Sequence, residues 1–267
     1  MSTWVNTTLC TVTDVQNRVS DLTLPLQISD PTQLTAAIQN KITLAKDWIK
    51  LRLQQHFTEI FPTTVEDAIA RNNERVRRMQ EQYASSFELT GLDTVVPTIE
   101  YGMFSSDDFN SYYANFITRS PARPRTYYLM RAPVSGSLGD FAGQADNGDF
   151  LVDMDGSELY LNTGTTDVPA WNVFVAENMI DYVTNPDMLL HAATSGTIFA
   201  ALQDGTLRGN ALYNQNMQLL GDATAYWEQL FLKDLKTAVP LVKVDISGDG
   251  SLSSYEKNAS RKTRYIF

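Results

Sequence analysis

The sequence predicts an α+β protein in which helical segments flank a β-rich middle, and three observations carry that prediction. Apolar residues recur at helical spacing near both ends of the chain, as in Leu34, Ile38, Ile42, Ala45, Ile49, Leu53 and Phe57. In the middle, short aromatic and β-branched runs alternate with turn signals, as where Asp149-Phe-Leu-Val-Asp-Met154 meets Asp155-Gly156. Residues 91–180 also hold four basic against twelve acidic residues, and so most of the net charge of −10. That balance argues against a general nucleic-acid-binding domain and for a solvated acidic module.

Four stretches follow: an N-terminal helical part, 1–95; a β-rich insertion, 96–175; a C-terminal helical part, 176–240; and a terminal loop and tail, 241–267. The first helix is expected from Thr13, with Gln16 closing a capping box, through Val19. Asp30, Pro31 and Gln33 start the long helix that should run to about Phe57. Thr63 with Glu66 opens another, with Ile69, Val76, Met79 and Tyr83 as its buried stripe. Its Arg71, Glu74, Arg75, Arg77 and Arg78 read as a solvated face with internal ion pairs.

In the insertion, Ser105 caps a short helix bearing Phe109, Tyr112, Tyr113 and Phe116 on one side. Tyr127-Tyr-Leu-Met130 reads as a strand, and Asp155-Gly156 turns the chain into the return strand Leu159-Tyr-Leu161. Asn162-Thr-Gly-Thr165 and Pro169-Ala-Trp171 complete the β unit. Asn185-Pro186 is a second cap-plus-proline start, with Asp204-Gly205 as its stop. A last helix begins near Asn210 and passes Gly221, and Tyr226, Trp227, Leu230, Phe231 and Leu235 form its stripe through Ala238.

The most specific motif lies beyond that helix. Asp245-Ile-Ser-Gly-Asp-Gly-Ser-Leu-Ser-Ser-Tyr-Glu256 fits the twelve-residue calcium loop. Asp245, Ser247 and Asp249 occupy the first, third and fifth places, and Gly250 the sixth, where the backbone must turn sharply. Ser251 would offer its carbonyl, Ser253 a hydroxyl or bridging water, and Glu256 a bidentate carboxylate. Pro240 and the extended Leu241-Val-Lys-Val244 replace the first helix of an EF-hand, so one structural calcium ion is expected rather than a sensor. The alternative is a Gly-Asp-Gly turn leading into a helix capped near Ser253, with no ion.

Motifs of catalysis are missing from the sequence. It has no phosphate loop, no G-x-G-x-x-G, no H-E-x-x-H and no G-x-S-x-G. His56 and His191, the only histidines, read as partly buried helix residues, and no catalytic residue is assigned. Asp149, Asp153 and Glu158 are the carboxylates a glycosidase would need, but the sequence fixes no separation between them. Cys10 is the single cysteine, which excludes an internal disulfide. No secretory signal opens the chain and the uncharged run Met188–Gln203 is too short to span a bilayer, so a cytoplasmic origin without a membrane partner is expected.

The order of parts carries a resemblance. Thr11-Val-Thr-Asp-Val-Gln16 precedes the long helix with Ile42-Thr-Leu-Ala-Lys-Asp-Trp-Ile49, and late helices lead to the calcium-type loop and a basic tail. This resembles the head-to-tail adaptor (connector) proteins of tailed bacteriophages, over about 1–90 and 180–267. The resemblance implies a helical bundle of an adaptor type with a C-terminal extended tail. It implies a virion neck protein in a ring, commonly of twelve copies, beneath the portal protein. The next neck or tail ring (a stopper, terminator or nozzle) would follow, with DNA passing only through the channel. It also implies a portal-docking tail, here Arg261, Lys262, Arg264, Tyr265 and Phe267. Gly148-Asp-Phe-Leu-Val-Asp-Met-Asp-Gly-Ser-Glu-Leu-Tyr-Leu-Asn-Thr-Gly-Thr165 is similar to a β module of phage fibre and decoration proteins, which implies contact with tail fibres. Plain adaptors lack such an insertion, so a fibre-attachment, tail-completion or baseplate component is the alternative. From another class, the alternative is a calcium-dependent carbohydrate-binding or hydrolytic protein.

Overall fold

The structure is a computed structural model, and it describes residues 4–19, 22–68, 70, 127–130, 147–148, 150–153, 158–165, 167–207 and 216–246. The fold is α+β. Within the described residues it divides into two compact units, one within Met1–Phe57 and Met179–Val244, the other within Thr58–Asn178 and resuming at Asp245.

The helical unit starts with a turn at Trp4–Asn6 and two short helices, α1 (Val12–Arg18) and α2 (Thr23–Leu26). The capping box of α1 is formed by Thr11 and Asp14, not by Thr13 and Gln16. Thr11 Oγ1 accepts from the Asp14 amide at 3.2 Å and Asp14 Oδ2 accepts from the Thr11 amide at 2.7 Å. An ionised aspartate also suits the positive end of a helix, where a neutral glutamine gains nothing. The Thr11 hydroxyl and amide hold the Asp14 carboxyl below the usual carboxylate range.

The long helix α3 (Pro31–Ile60) starts where the sequence places it. Asp30 Oδ1 accepts from the Gln33 amide at 2.8 Å, and Asp30 O accepts from Leu34 N at 2.9 Å. Ile38, Ile42, Ala45, Ile49, Leu53 and Phe57 are all buried, one face of a 3.6-residue period. The helix continues past Phe57 to Ile60 and stops before Phe61-Pro62, because the residue ahead of a proline is pushed out of the helical region.

Two later helices complete this unit, α4 (Leu190–Leu207) and α5 (Asn216–Ala238). Asn185 does not cap α4; Pro186–Leu189 forms a 3-10 turn first, and the Asn185 side chain bonds elsewhere. Asp204-Gly205 does not end α4 either, since the helix runs to Leu207. The body of α4 is buried through small and apolar residues: Ala192, Ala193, Thr194, Ser195, Thr197, Ile198, Ala200 and Ala201. Their hydroxyls return to the helix, Thr194 to Leu190 O at 2.8 Å and Thr197 to Ala193 O at 2.7 Å, so their burial leaves no donor unmet. At Gly196 a Cβ would stand 2.8 Å from the Phe231 ring and 3.3 Å from the Ala45 Cβ, which shows how closely α3 and α5 approach α4. Trp48 closes this junction, 5.5 Å from Phe199 and 5.9 Å from Phe231 between ring centroids. Lys41 of α3 and Asp204 of α4 form a 2.5 Å ion pair. On α5, Phe231, Leu235 and Ala238 are buried as expected, but Tyr226 is exposed, edge-on to Trp227. Gly221 lies in open space inside the helix.

The β unit holds one sheet in the order β1 (Tyr127–Met130), β2 (Phe150–Asp153), β3 (Glu158–Asn162), β4 (Trp171–Val173). β2 and β3 pair antiparallel from Phe150↔Leu161 to Asp153↔Glu158, and β3 pairs antiparallel with β4. β1 pairs parallel with β2, which periodicity cannot announce because it depends on the path of the connection. Phe150 and Leu151 are fully buried neighbours on opposite faces of β2, the mark of an interior strand. Phe150 meets Phe174 edge-on at 4.9 Å, and Phe61 lies 5.7 Å from Phe174. The helix expected at Thr63 begins at Thr64, whose hydroxyl accepts from the Asp67 amide at 3.1 Å while Asp67 Oδ2 accepts from Thr63 N. Its whole stripe (Ile69, Val76, Met79 and Tyr83) and its arginines, the helix at Ser105 and the Asp155-Gly156 turn lie outside the described residues.

Candidate functional site

The sequence directs attention to the stretch leading into Asp245, and the fold holds that stretch firmly. After α5, Val239–Leu241 makes a 3-10 turn around Pro240, and Val242 takes up extended geometry at φ −63°, ψ 134°. Val244 then forms an antiparallel bridge with Val183. Thr184 N donates to Lys243 O at 3.1 Å. Asn185 acts as a short piece of backbone: its Oδ1 accepts from Lys243 N at 2.6 Å and its Nδ2 donates to Leu241 O at 3.1 Å. Val242, Val244 and Ile246 are fully buried, so the alternation of this run also anchors it.

The result is a fixed approach to the first residue of the calcium-type motif. Asp245 itself is buried, 7% exposed. A carboxylate withdrawn that far from water is costly without a compensating partner, and Asp245 does make interactions in the fold. The other expected ligands, Ser247, Asp249, Ser251, Ser253 and Glu256, lie outside the described residues, as do Arg261, Lys262, Arg264, Tyr265 and Phe267 of the tail. Among the described residues no group of three or more His, Cys, Asp or Glu side chains could hold a metal. The motif offers carboxylate, hydroxyl and carbonyl oxygens, which is the donor set of a hard cation such as calcium.

Other chemistry-bearing residues have settled partners. Ser195 Oγ lies 2.9 Å from both Asp234 Oδ2 and the His191 carbonyl, either of which can accept its single hydroxyl hydrogen, and the His191 ring is 3.3 Å from Arg18. His191 is exposed rather than partly buried, its ring in contact with Arg18; His56 is buried. The Arg18 guanidinium also stands over the Trp227 ring at 5.9 Å. Glu158 accepts a hydrogen bond from the Tyr160 hydroxyl on the same strand. Cys10 is buried beside Thr197, and that burial pushes its thiol pKa up, away from reactivity.

Three anchoring side chains escaped the sequence reading. Lys46 donates to Val5 O at 2.9 Å and Thr7 O at 2.7 Å while covering the buried Trp4, and burial lowers its pKa. Asn185 and Asn162 tie backbone that is distant or turned back on itself. For the two asparagines the available signal was the type of residue, since asparagine in a turn-rich stretch favours side-chain-to-backbone bonds as readily as caps; Lys46 carries no such signal.

No family model matches the chain, and neither a curated protein nor a solved structure matches it. Among the described residues no helix is long and apolar enough to cross a membrane.

Proposed function

We propose that this chain is a non-enzymatic virion protein, a head-to-tail adaptor subunit that forms a ring beneath a phage portal and joins it to the next neck component. The observation that carries the reading is the order of parts around the Asn185 tie. Helices precede and follow a β-rich stretch, and α5 passes into an extended segment that is pinned just before the calcium-type loop and the basic tail. The tail supplies cations for an acidic groove and Tyr265 and Phe267 as anchors, a composition suited to ordering on a partner. One calcium ion held by Asp245, Ser247, Asp249, Ser251, Ser253 and Glu256 would set the direction in which that tail leaves the bundle.

The test is to mix the purified chain with portal rings from the same source and weigh the products by native mass spectrometry. A stoichiometric complex that disappears when the chain is cut after Glu256 is the expected result. Intact chain that leaves portal rings bare would shift the assignment to a fibre-attachment or tail component, for which the exposed Val168, Val173 and Val175 of the β unit offer an apolar surface.

A further inference from the structure

Asn147-Gly148 is the one Asn-Gly pair in the sequence, and it lies against the turn that Asn162 organises. Such a pair loses ammonia readily, because glycine has no Cβ to keep its own nitrogen from the asparagine Cγ. Here both nitrogens that the reaction uses are engaged. Gly148 N, the nucleophile, donates to Asn162 O at 2.8 Å, and Gly148 is buried with φ at 86°, a left-handed geometry suited to glycine. Asn147 Nδ2, the leaving nitrogen, donates to Gly164 O at 3.2 Å. Both acceptors belong to one turn, which Asn162 Oδ1 closes by accepting from Gly164 N and Ala170 N at 2.9 Å. Asn147 Oδ1 is buried, and no donor among the described residues reaches it.

We infer that Asn147 is a deamidation site: the closed turn shields it, opening of the turn lets it react, and the product keeps the turn open. The inference stands apart from the adaptor reading. In the opened chain Gly148 N gives up its proton to water and attacks Asn147 Cγ. The Cγ–Nδ2 bond breaks, ammonia departs after taking up a proton, and a cyclic succinimide remains. Water then adds to either imide carbonyl and breaks its bond to nitrogen, giving aspartate or isoaspartate, with no oxidant or reductant involved. Neither product fits the closed turn. An aspartate would set a carboxylate oxygen against Gly164 O, acceptor against acceptor, and place charge at a position that no described donor reaches. An isoaspartate adds a methylene to the backbone just before Gly148 and carries that amide away from Asn162 O. An opening that ends in reaction is therefore irreversible, and the bond that extends the β2–β3 pairing past Phe150 and Leu161 is lost with it.

The test incubates the full chain at neutral pH in heavy-oxygen water and follows Asn147 by peptide mass spectrometry. Folded chain should gain heavy oxygen there at least about tenfold more slowly than chain unfolded in urea. Asn162→Ala, which strands the Gly164 and Ala170 amides, should remove most of that protection. If this variant does not fold, the unmodified chain in urea below its unfolding midpoint serves instead. There the reaction should rise in step with hydrogen exchange at the Gly148 amide. Equal rates in folded and unfolded chain, or a rate that does not follow that exchange, overturn the shielding. Asn147→Asp supplies the product directly. It should speed exchange at Gly148 and lower stability more than Asn147→Ala, which removes the same donor without adding charge. An Asn147→Asp chain as stable as Asn147→Ala, or one whose Gly148 amide stays protected, overturns the claim that the product holds the turn open.

Discussion

The two units of this molecule hold their shape by different means, and a glycine in each displays the difference. At Gly196, in the centre of the helical unit, the atoms that crowd a Cβ belong to the Phe231 ring and the Ala45 methyl. At Gly164, in the β unit, they are backbone atoms, Val168 O at 2.3 Å and Ala170 N at 2.5 Å. The helical unit is organised by interlocking side chains, which can give way a little. The turn that closes the β unit is organised by backbone drawn around one buried side chain. Asn162 Oδ1 accepts from both Gly164 N and Ala170 N at 2.9 Å, and its carbonyl accepts from Gly148 N at 2.8 Å. Side-chain packing tolerates substitution by repacking; a hydrogen-bonded turn has no such freedom.

The comparison can be broken most forcefully at the aromatic core of the β unit. Phe150→Ala should cost roughly 3–5 kcal/mol in urea unfolding, the range for losing a buried phenylalanine. Exchange should accelerate at the Phe174 and Leu161 amides and stay slow at Ile42 and Ile198. Next comes the turn itself. Asn162→Ala leaves two inward amides without their acceptor and should cost about 1–3 kcal/mol for each stranded group. Gly164→Ala should be comparably damaging and should not be rescued by trimming any neighbouring side chain.

Gly196→Ala sharpens the contrast. It should cost about 1–3 kcal/mol as an overpacked core. Because its obstacle is a ring, Phe231→Leu in the same chain should recover part of the loss, a coupling that a double-mutant cycle reads directly. The smallest effect belongs to a helix end: Asp30→Ala should lower stability by about 1 kcal/mol through the lost N-cap and speed exchange of the Gln33 amide. A loss at Asp30 larger than that at Asn162 would reverse the ranking of the two units.

How much of this was legible depended on whether a feature is local in sequence. The stripe of α3 reads directly because each buried residue is placed by helical period alone, and Asp30-Pro31 marks its start in consecutive letters. The strands Tyr127–Met130, Phe150–Asp153 and Glu158–Asn162 read for the same reason. The caps at Thr11 and Thr64 slid by one or two places, since Thr, Asp, Glu and Gln cluster there and the carboxylate nearest the amide wins. Asn185 misled for a deeper reason. A cap and a tertiary tie need the same side chain, and only the arrival of Leu241–Lys243 decides between them. The parallel pairing of β1 with β2 and the hold of Lys46 on Val5 and Thr7 are also set by chain path. For the calcium-type motif, the sequence supplies the donor set and the fold supplies the approach to Asp245.

The bonds between 183–185 and 241–244 have a mechanical meaning as well. Tension applied to the chain beyond Ile246 reaches Val244, Lys243 and Leu241 before it reaches the last turn of α5. There it meets hydrogen bonds at Thr184 and Asn185 together with the buried Val242 and Val244. Several bonds across one short overlap share such a load, whereas a helix end yields one turn at a time. Pulled from beyond Ile246, the chain would meet bonds loaded together rather than a coil that unravels.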